Sequence, residues 1–238
     1  MAARVGNRIL SIMAGILILL MLSYGVYSLW DTYKIYANSF ADEELLKFRP
    51  TDDGEDNPTL KDLKKLNPDV KAWIQVPKTN IDYPVVQGQD DMEYINKNVY
   101  GEFELSGAIF LSCLNKDDFS DPYNLVYGHN MKNGSMFAGL KNYSDQSYAE
   151  AHPYIYVDLS DGSHCYEIFS AHEADATDIT YTIGYRANDT YASFLDSLKT
   201  ASLYDTGVEV TKDDSVISLS TCTKSGEKRF VVHAKKLY

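Results

Sequence analysis

The chain has 238 residues, 45% of them hydrophobic, enough to fill one packed core of ordinary size with little left for a second. It carries 34 acidic against 22 basic residues, a formal charge of −12, and no dense Lys/Arg cluster interrupts the acid. That balance argues against nucleic acid as a partner, and against docking on anionic lipid or polyanionic wall polymers; the excess acid reads as a solubilising surface.

The long apolar run comes first. Ile9 to Trp30 holds no charged residue and matches the roughly 20 residues needed to cross a hydrocarbon core. A cleaved signal peptide is the competing reading, with Arg4 and Arg8 as its basic start. No convincing small-x-small site follows the run, which stays apolar or aromatic through Trp30, so an uncleaved signal-anchor helix is expected. Arg4 and Arg8 precede the helix and every acidic residue follows it. The positive-inside rule then gives a single-pass protein of the cell membrane, N-terminus cytoplasmic and body outside. The expected organisation is a tail over 1–8, a membrane helix over 9–30, a juxtamembrane helical extension over 31–66 and one β-rich domain over 67–238.

Within the extension, Asp31 to Lys47 is polar-amphipathic and Arg49 to Pro58 (RPTDDGEDNP) is an acidic turn with Gly and Pro as breakers. Leu60, Leu63 and Leu66 then form a short helical stripe closed by Asn67-Pro68. Both stretches read as a stalk that packs on the domain, without chemistry of its own.

From Lys71 the pattern turns to short runs rich in branched and aromatic residues: 72–76, 82–86, 108–112, 123–127, 154–159, 166–171, 215–220 and 230–234. Eight such runs predict a mostly β domain, a closed or nearly closed barrel or a sandwich. One helix interrupts them at about 189–202. Asn188 can cap it, and Tyr191, Phe194, Leu195 and Leu198 fall on one face.

Cys113, Cys165 and Cys222 are an odd set for an exported protein, so at least one thiol is left over. A Cys113–Cys165 bridge with an inert Cys222 fits the count as well as a catalytic thiol does. The neighbours favour chemistry at Cys222. It follows the run SVISLS, precedes the turn residues Lys224 to Glu227, and stands seven positions before Arg229, which opens the next run. A thiol at a strand end with a guanidinium nearby is placed as reactive thiols are. Of five histidines, His129 alone lies just past a strand end, after Gly128, where a strand delivers a side chain to a rim; His152, His164, His172 and His233 read as structural or solvated. An imidazole there could supply the leaving amine with its proton, and Arg229 could hold an oxyanion.

The order His129, Cys222, Arg229 on a signal-anchored β domain resembles the sortase family. The segments that carry the resemblance are NLVYGHNM (124–131) with SMFAGL (135–140), VISLSTC (216–222) and RFVVHAK (229–235). Upstream, NPDVKAWIQVPKTNIDYPVVQ (67–87) and YGEFELSGAIFL (100–111) are similar to it as well. The helix at 189–202 and the N-terminal helical extension are similar to class B. This resemblance implies a sortase-type closed barrel of about eight strands with peripheral helices. It also implies a cysteine transpeptidase without metal or other cofactor, acting by a ping-pong mechanism through Cys222, His129 and Arg229. Its partners would be surface proteins or pilins bearing a sorting motif, and an amine acceptor, a peptidoglycan precursor or a pilin lysine. Ser220 and Thr221 would line the substrate groove, and Tyr181 and Thr182 its wall. Cys113 and Cys165 are expected as buried free thiols, and Asp52-Asp53 and Asp117-Asp118 as solvated turn charges. The rival reading is a membrane-tethered β-domain that serves as a scaffold or adhesin without catalysis.

Overall fold

The computed structural model describes residues 2–41, 43–50, 58–222 and 228–238. Two compact units divide the chain after Asn38.

The first unit is one helix, α1 (Ala2–Asn38), exposed along most of its length. With a mean hydropathy of 2.4 in its most apolar window, it is long and apolar enough to cross a membrane. The sequence reading ends the membrane helix at Trp30 and opens a helical extension at Asp31, and the backbone runs as one helix through that boundary for eight more residues. Nothing in Asp31–Asn38 (DTYKIYAN) is a glycine or proline that would stop it.

The second unit opens with a short helix, α2 (Glu43–Leu46), and a second, α3 (Pro58–Leu66). The acidic residues 51–57, including Asp52-Asp53, lie outside the described residues. In α3, Leu60 and Leu63 are buried while Leu66 is exposed. A strict three-residue spacing slips by about 60° per step on a helix of 3.6 residues per turn, so the third leucine has left the buried face.

The barrel strands are β1 (Val70–Gln75), β2 (Asp82–Val86), β3 (Ile109–Leu111), β4 (Tyr123–Gly128), β5 (Tyr154–Leu159), β6 (Gly162–Asp175), β7 (Val216–Cys222) and β8 (Lys228–Lys236). They close in the order β1, β2, β3, β4, β7, β8, β6, β5, and β5 pairs back onto β1. This decides between barrel and sandwich, and closure leaves no unpaired edge. The pairings β2 with β3 and β4 with β7 are parallel, and the others antiparallel. Strand β6 runs beyond the 166–171 segment at both ends because it pairs with β5 on one side and β8 on the other, which brings His164 and His172 into the sheet.

Side chains alternate between the two faces of the barrel wall. Val126, Ile217, Leu219, Phe230, Val232 and Ala234 point into the barrel core. The short helix α4 (Gln146–Ala151) precedes β5, and the alternate residues of β4 and β7, Tyr123, Leu125 and Val216, pack outside the core beneath α5 (Asp189–Ala201). Asn188 caps α5, its side chain accepting the Tyr191 N–H at 3.1 Å, and Tyr191, Phe194, Leu195 and Leu198 are its buried face. Ser170 of β6 ties the helix down by donating to the Leu198 carbonyl at 2.6 Å. The same outer face continues past α5 toward the ends of β4 and β7 and the start of β8.

Candidate active site

Strand β4 leaves the sheet through Gly128-His129. The glycine is required by space rather than by an unusual backbone angle. A Cβ there would lie 2.5 Å from Ile109 Cδ1 and 2.7 Å from the Phe137 ring. Beyond it the chain folds back on itself: Phe137 N–H donates to the His129 carbonyl at 2.9 Å, and Asn130 bridges to Met136. The His129 ring lies against the 3-10 turn Glu93–Ile95, with Nε2 2.8 Å from the Ile95 carbonyl. A carbonyl can only accept, so Nε2 carries the hydrogen and Nδ1 is left for the second proton of the ring.

Parallel pairing puts Ser220 beside Tyr127 and Thr221 beside Gly128. The β7–β8 hairpin sets Cys222 opposite Arg229. His129, Cys222 and Arg229 thus come from three neighbouring strand ends at one end of the barrel. The Cys222 side chain and the turn 223–227 lie outside the described residues.

A cavity of about 210 Å³ opens at this end, lined by Asp91, Met92, Ile95, Phe110, Tyr127, Gly128, His129, Ser220 and Arg229. Tyr181 reinforces it at the end of the 3-10 turn Ile179–Tyr181. Its ring stacks on Tyr127, with centroids 6.3 Å apart and planes 8° from parallel. Its hydroxyl is 3.0 Å from Ser220 Oγ, and the Arg229 guanidinium lies 5.8 Å above its ring. A guanidinium on an aromatic face is held in place without losing its N–H donors. Burial, then the charge of Asp91 and the neighbouring Tyr181, pushes the Tyr127 hydroxyl above its ordinary pKa, so this wall stays neutral. Asp91 is fixed by the Cys113 N–H at 2.6 Å and the Ser112 hydroxyl at 3.0 Å.

The expected groove residues separate. Ser220 lines the cavity and Tyr181 buttresses it. Thr221 does not line it: strand alternation sets Thr221 on the face of Ile217 and Leu219, 2% exposed, with Oγ1 unpartnered. Thr182 also stands outside the lining, exposed just after the 3-10 turn. Sequence reasoning missed Asp91, Met92, Ile95, Phe110 and Tyr127. Tyr127 could have been found, since it stands two residues before His129 in an alternating strand. The Ile95 carbonyl could not, because a backbone acceptor carries no residue signal.

Cys113 and Cys165 are both free, which removes the bridge the cysteine count allowed. Cys165 is buried as expected, whereas Cys113 is only half-buried. Burial pushes both thiols up, with Asp91 adding to the effect at Cys113. Neither is poised as a thiolate. Asp117 and Asp118 are exposed at a turn, Asp117 facing Lys71 at 3.3 Å. Among the described residues no three His, Cys, Asp or Glu side chains gather as a metal site.

The Sortase domain pattern matches residues 74–237. Sortase B of Listeria monocytogenes is 37% identical over 186 residues, 76% of this chain and 75% of the relative. Sortase B of Staphylococcus aureus is 32% identical over 181 residues, 75% of this chain and 74% of the relative. The solved Staphylococcus aureus sortase B-substrate complex superposes with a TM-score of 0.72 at 32% identity, covering 76% of this chain and 85% of that one. The chain therefore belongs to the sortase family. Its type is class B, and its activity is that of a sortase transpeptidase, which joins sorting-motif substrates to amine acceptors. The scaffold reading gives way to the enzyme.

Proposed function

We propose that Cys222 is the nucleophile, His129 the proton donor and Arg229 the oxyanion holder of this transpeptidase. The Cys222 thiolate attacks the carbonyl carbon after the threonine of a C-terminal sorting motif. A C–S bond forms, and the carbonyl oxygen takes the negative charge beside Arg229. Collapse of the intermediate breaks the C–N bond, and the imidazolium of His129 gives its proton to the departing amine. A second amine then attacks the thioester, loses a proton to His129 and frees the thiolate. Water in place of the amine would turn the enzyme into a thiol protease.

The observation that carries this reading is the convergence of three strand ends, with His129 and Arg229 both lining one cavity next to position 222. Ser220 and Tyr181 hold the motif along the groove, and Thr221 and Thr182 act from its margins through the backbone. The acceptor is the amine of a peptidoglycan precursor or a pilin lysine, and the substrates are surface proteins or pilins. Helix α1 serves as a single-pass anchor with the N-terminus in the cytoplasm and the domain outside, in the organisation 1–8, 9–30, 31–66 and 67–238.

The test is mass spectrometry of the full chain in detergent with a panel of sorting-motif peptides. A thioacyl adduct forms on Cys222, is absent from Cys222→Ala and is discharged by added amine. Comparing a glycine-peptide amine with a lysine ε-amine identifies the acceptor. An adduct that persists in Cys222→Ala removes Cys222 as nucleophile.

A further inference from the structure

Ser39 is the first residue of the catalytic unit and the first after α1. The sequence reading treats its segment as inert stalk, yet Ser39 is 1% exposed. Its hydroxyl sits in a ring of three polar groups. Ser135 Oγ is 2.7 Å from both Ser39 Oγ and Asn133 Oδ1, and Asn133 Nδ2 donates to Ser39 Oγ at 2.9 Å. One proton per hydroxyl suffices to close that ring. The Ser39 backbone is held as well. Tyr83 donates its hydroxyl to the Ser39 carbonyl at 3.2 Å and accepts the Met136 N–H at 2.9 Å. Burial pushes the Tyr83 hydroxyl up to about 12, so it stays a donor at any working pH.

The side chains that meet the Ser39 hydroxyl, Asn133 and Ser135, lie in the loop 129–137. That loop begins with His129, and its far end returns to the His129 carbonyl through the Phe137 N–H. The Ile95 carbonyl meets the ring at Nε2. The loop has the Asn130–Met136 bridge and the Phe137–His129 bond of its own, and Ser39 and Tyr83 brace it from outside through Asn133, Ser135 and the Met136 N–H.

We propose that Ser39 is a positioning residue for the sortase reaction, holding the loop 129–137 so that the His129 imidazole meets the departing amine. The juxtamembrane residue next to α1 thereby belongs to the catalytic apparatus. This rests on the reading of His129 as proton donor.

The experiment uses the full chain in detergent, with Ser39→Ala and Tyr83→Phe. Amide hydrogen exchange at Met136 and Phe137 reports the clamp independently of catalysis. The rate of acylation by the panel peptide that gives the Cys222 adduct reports the consequence. In Ser39→Ala, exchange at the two amides rises at least tenfold and kcat falls about 10-fold or more with KM within twofold, because the groove is untouched. Tyr83→Phe moves both readouts in the same direction. Unchanged exchange at Met136 and Phe137 in both folded variants overturns the clamp. Faster exchange with unchanged kcat overturns the positioning role while leaving His129 as donor. Activity retained in His129→Ala overturns the donor reading and the proposal with it.

Discussion

The outer face of the β4, β7 and β8 wall has two halves built from the same strands, and they have opposite fates. Under α5 lie Tyr123, Leu125, Val216 and Ser218, with His233 opposite Ser218; beyond the helix lie Tyr127, Ser220 and Arg229. Both halves carry polar groups among aromatic rings. In the covered half these groups are spent on structure: Ser218 Oγ meets His233 Nδ1 at 2.6 Å, and His233 stacks on His172 with ring centroids 5.1 Å apart. In the open half the same kinds of group face a cavity. Residue type alone therefore does not mark the site. What marks it is where the covering helix stops.

Substitutions in the two halves are expected to fail in different assays. The largest effect is expected from Phe194→Ala in α5. Phe194 is buried, stacks on Tyr185 and meets Tyr123 edge-on. Its truncation should cost about 3–5 kcal/mol, read as a lower urea midpoint, while kcat/KM well below the transition changes less than threefold. Arg229→Lys should do the reverse. It keeps the charge but loses the planar fork, and kcat is expected to drop about 10²-fold or more, on the scale of a lost oxyanion donor, with an unchanged melting curve. A stability loss in Arg229→Lys larger than its activity loss would erase the distinction.

The smallest effect is a pH slope. Burial lowers the basicity of His172 and His233; His172 lowers His233 further, while Asp178 works against the shift at His172. In the unfolded chain both titrate near about 6.5. As pH falls below that value the unfolded state takes up protons that the folded state refuses, so stability falls. The slope is at most about 1.4 kcal/mol per pH unit for each histidine. Urea midpoints at three pH values between 7.5 and 5.5 measure it. His172→Phe, which keeps a stacked ring and removes one titrating group, should make it shallower. An unchanged slope in that variant would mean that His172 protonates freely in the folded protein.

The same division explains how much of the molecule was legible in its sequence. The eight strands could be read because each is a short apolar or alternating run bounded by turn residues, and α5 because Asn188 and a 3.6-residue period announce it. His129 and Arg229 could be read because both stand at run boundaries. The opposite cavity wall could not. It comes from the 3-10 turn Glu93–Ile95 and the preceding Asp91 and Met92, which have no periodicity and act partly through a backbone carbonyl. The Thr221 side chain stands apart from the cavity lining for a simpler reason: next to Ser220 in sequence, it lies on the opposite face of the same strand.

The closing order of the barrel also has a temporal consequence. Strands β4 and β7 pair directly, yet partners such as Tyr127 and Ser220 are separated by about half of the domain's length, and β8, the last strand, seals β7 to β6. Contacts of such long range are slow to form because the loop between them must close first. A chain made from its N-terminus therefore already carries His129 and the whole apolar wall of the groove while its thiol strand is still missing. With Cys222 proposed as the nucleophile, a nascent chain that lacks the β7–β8 hairpin has no thiol there to acylate.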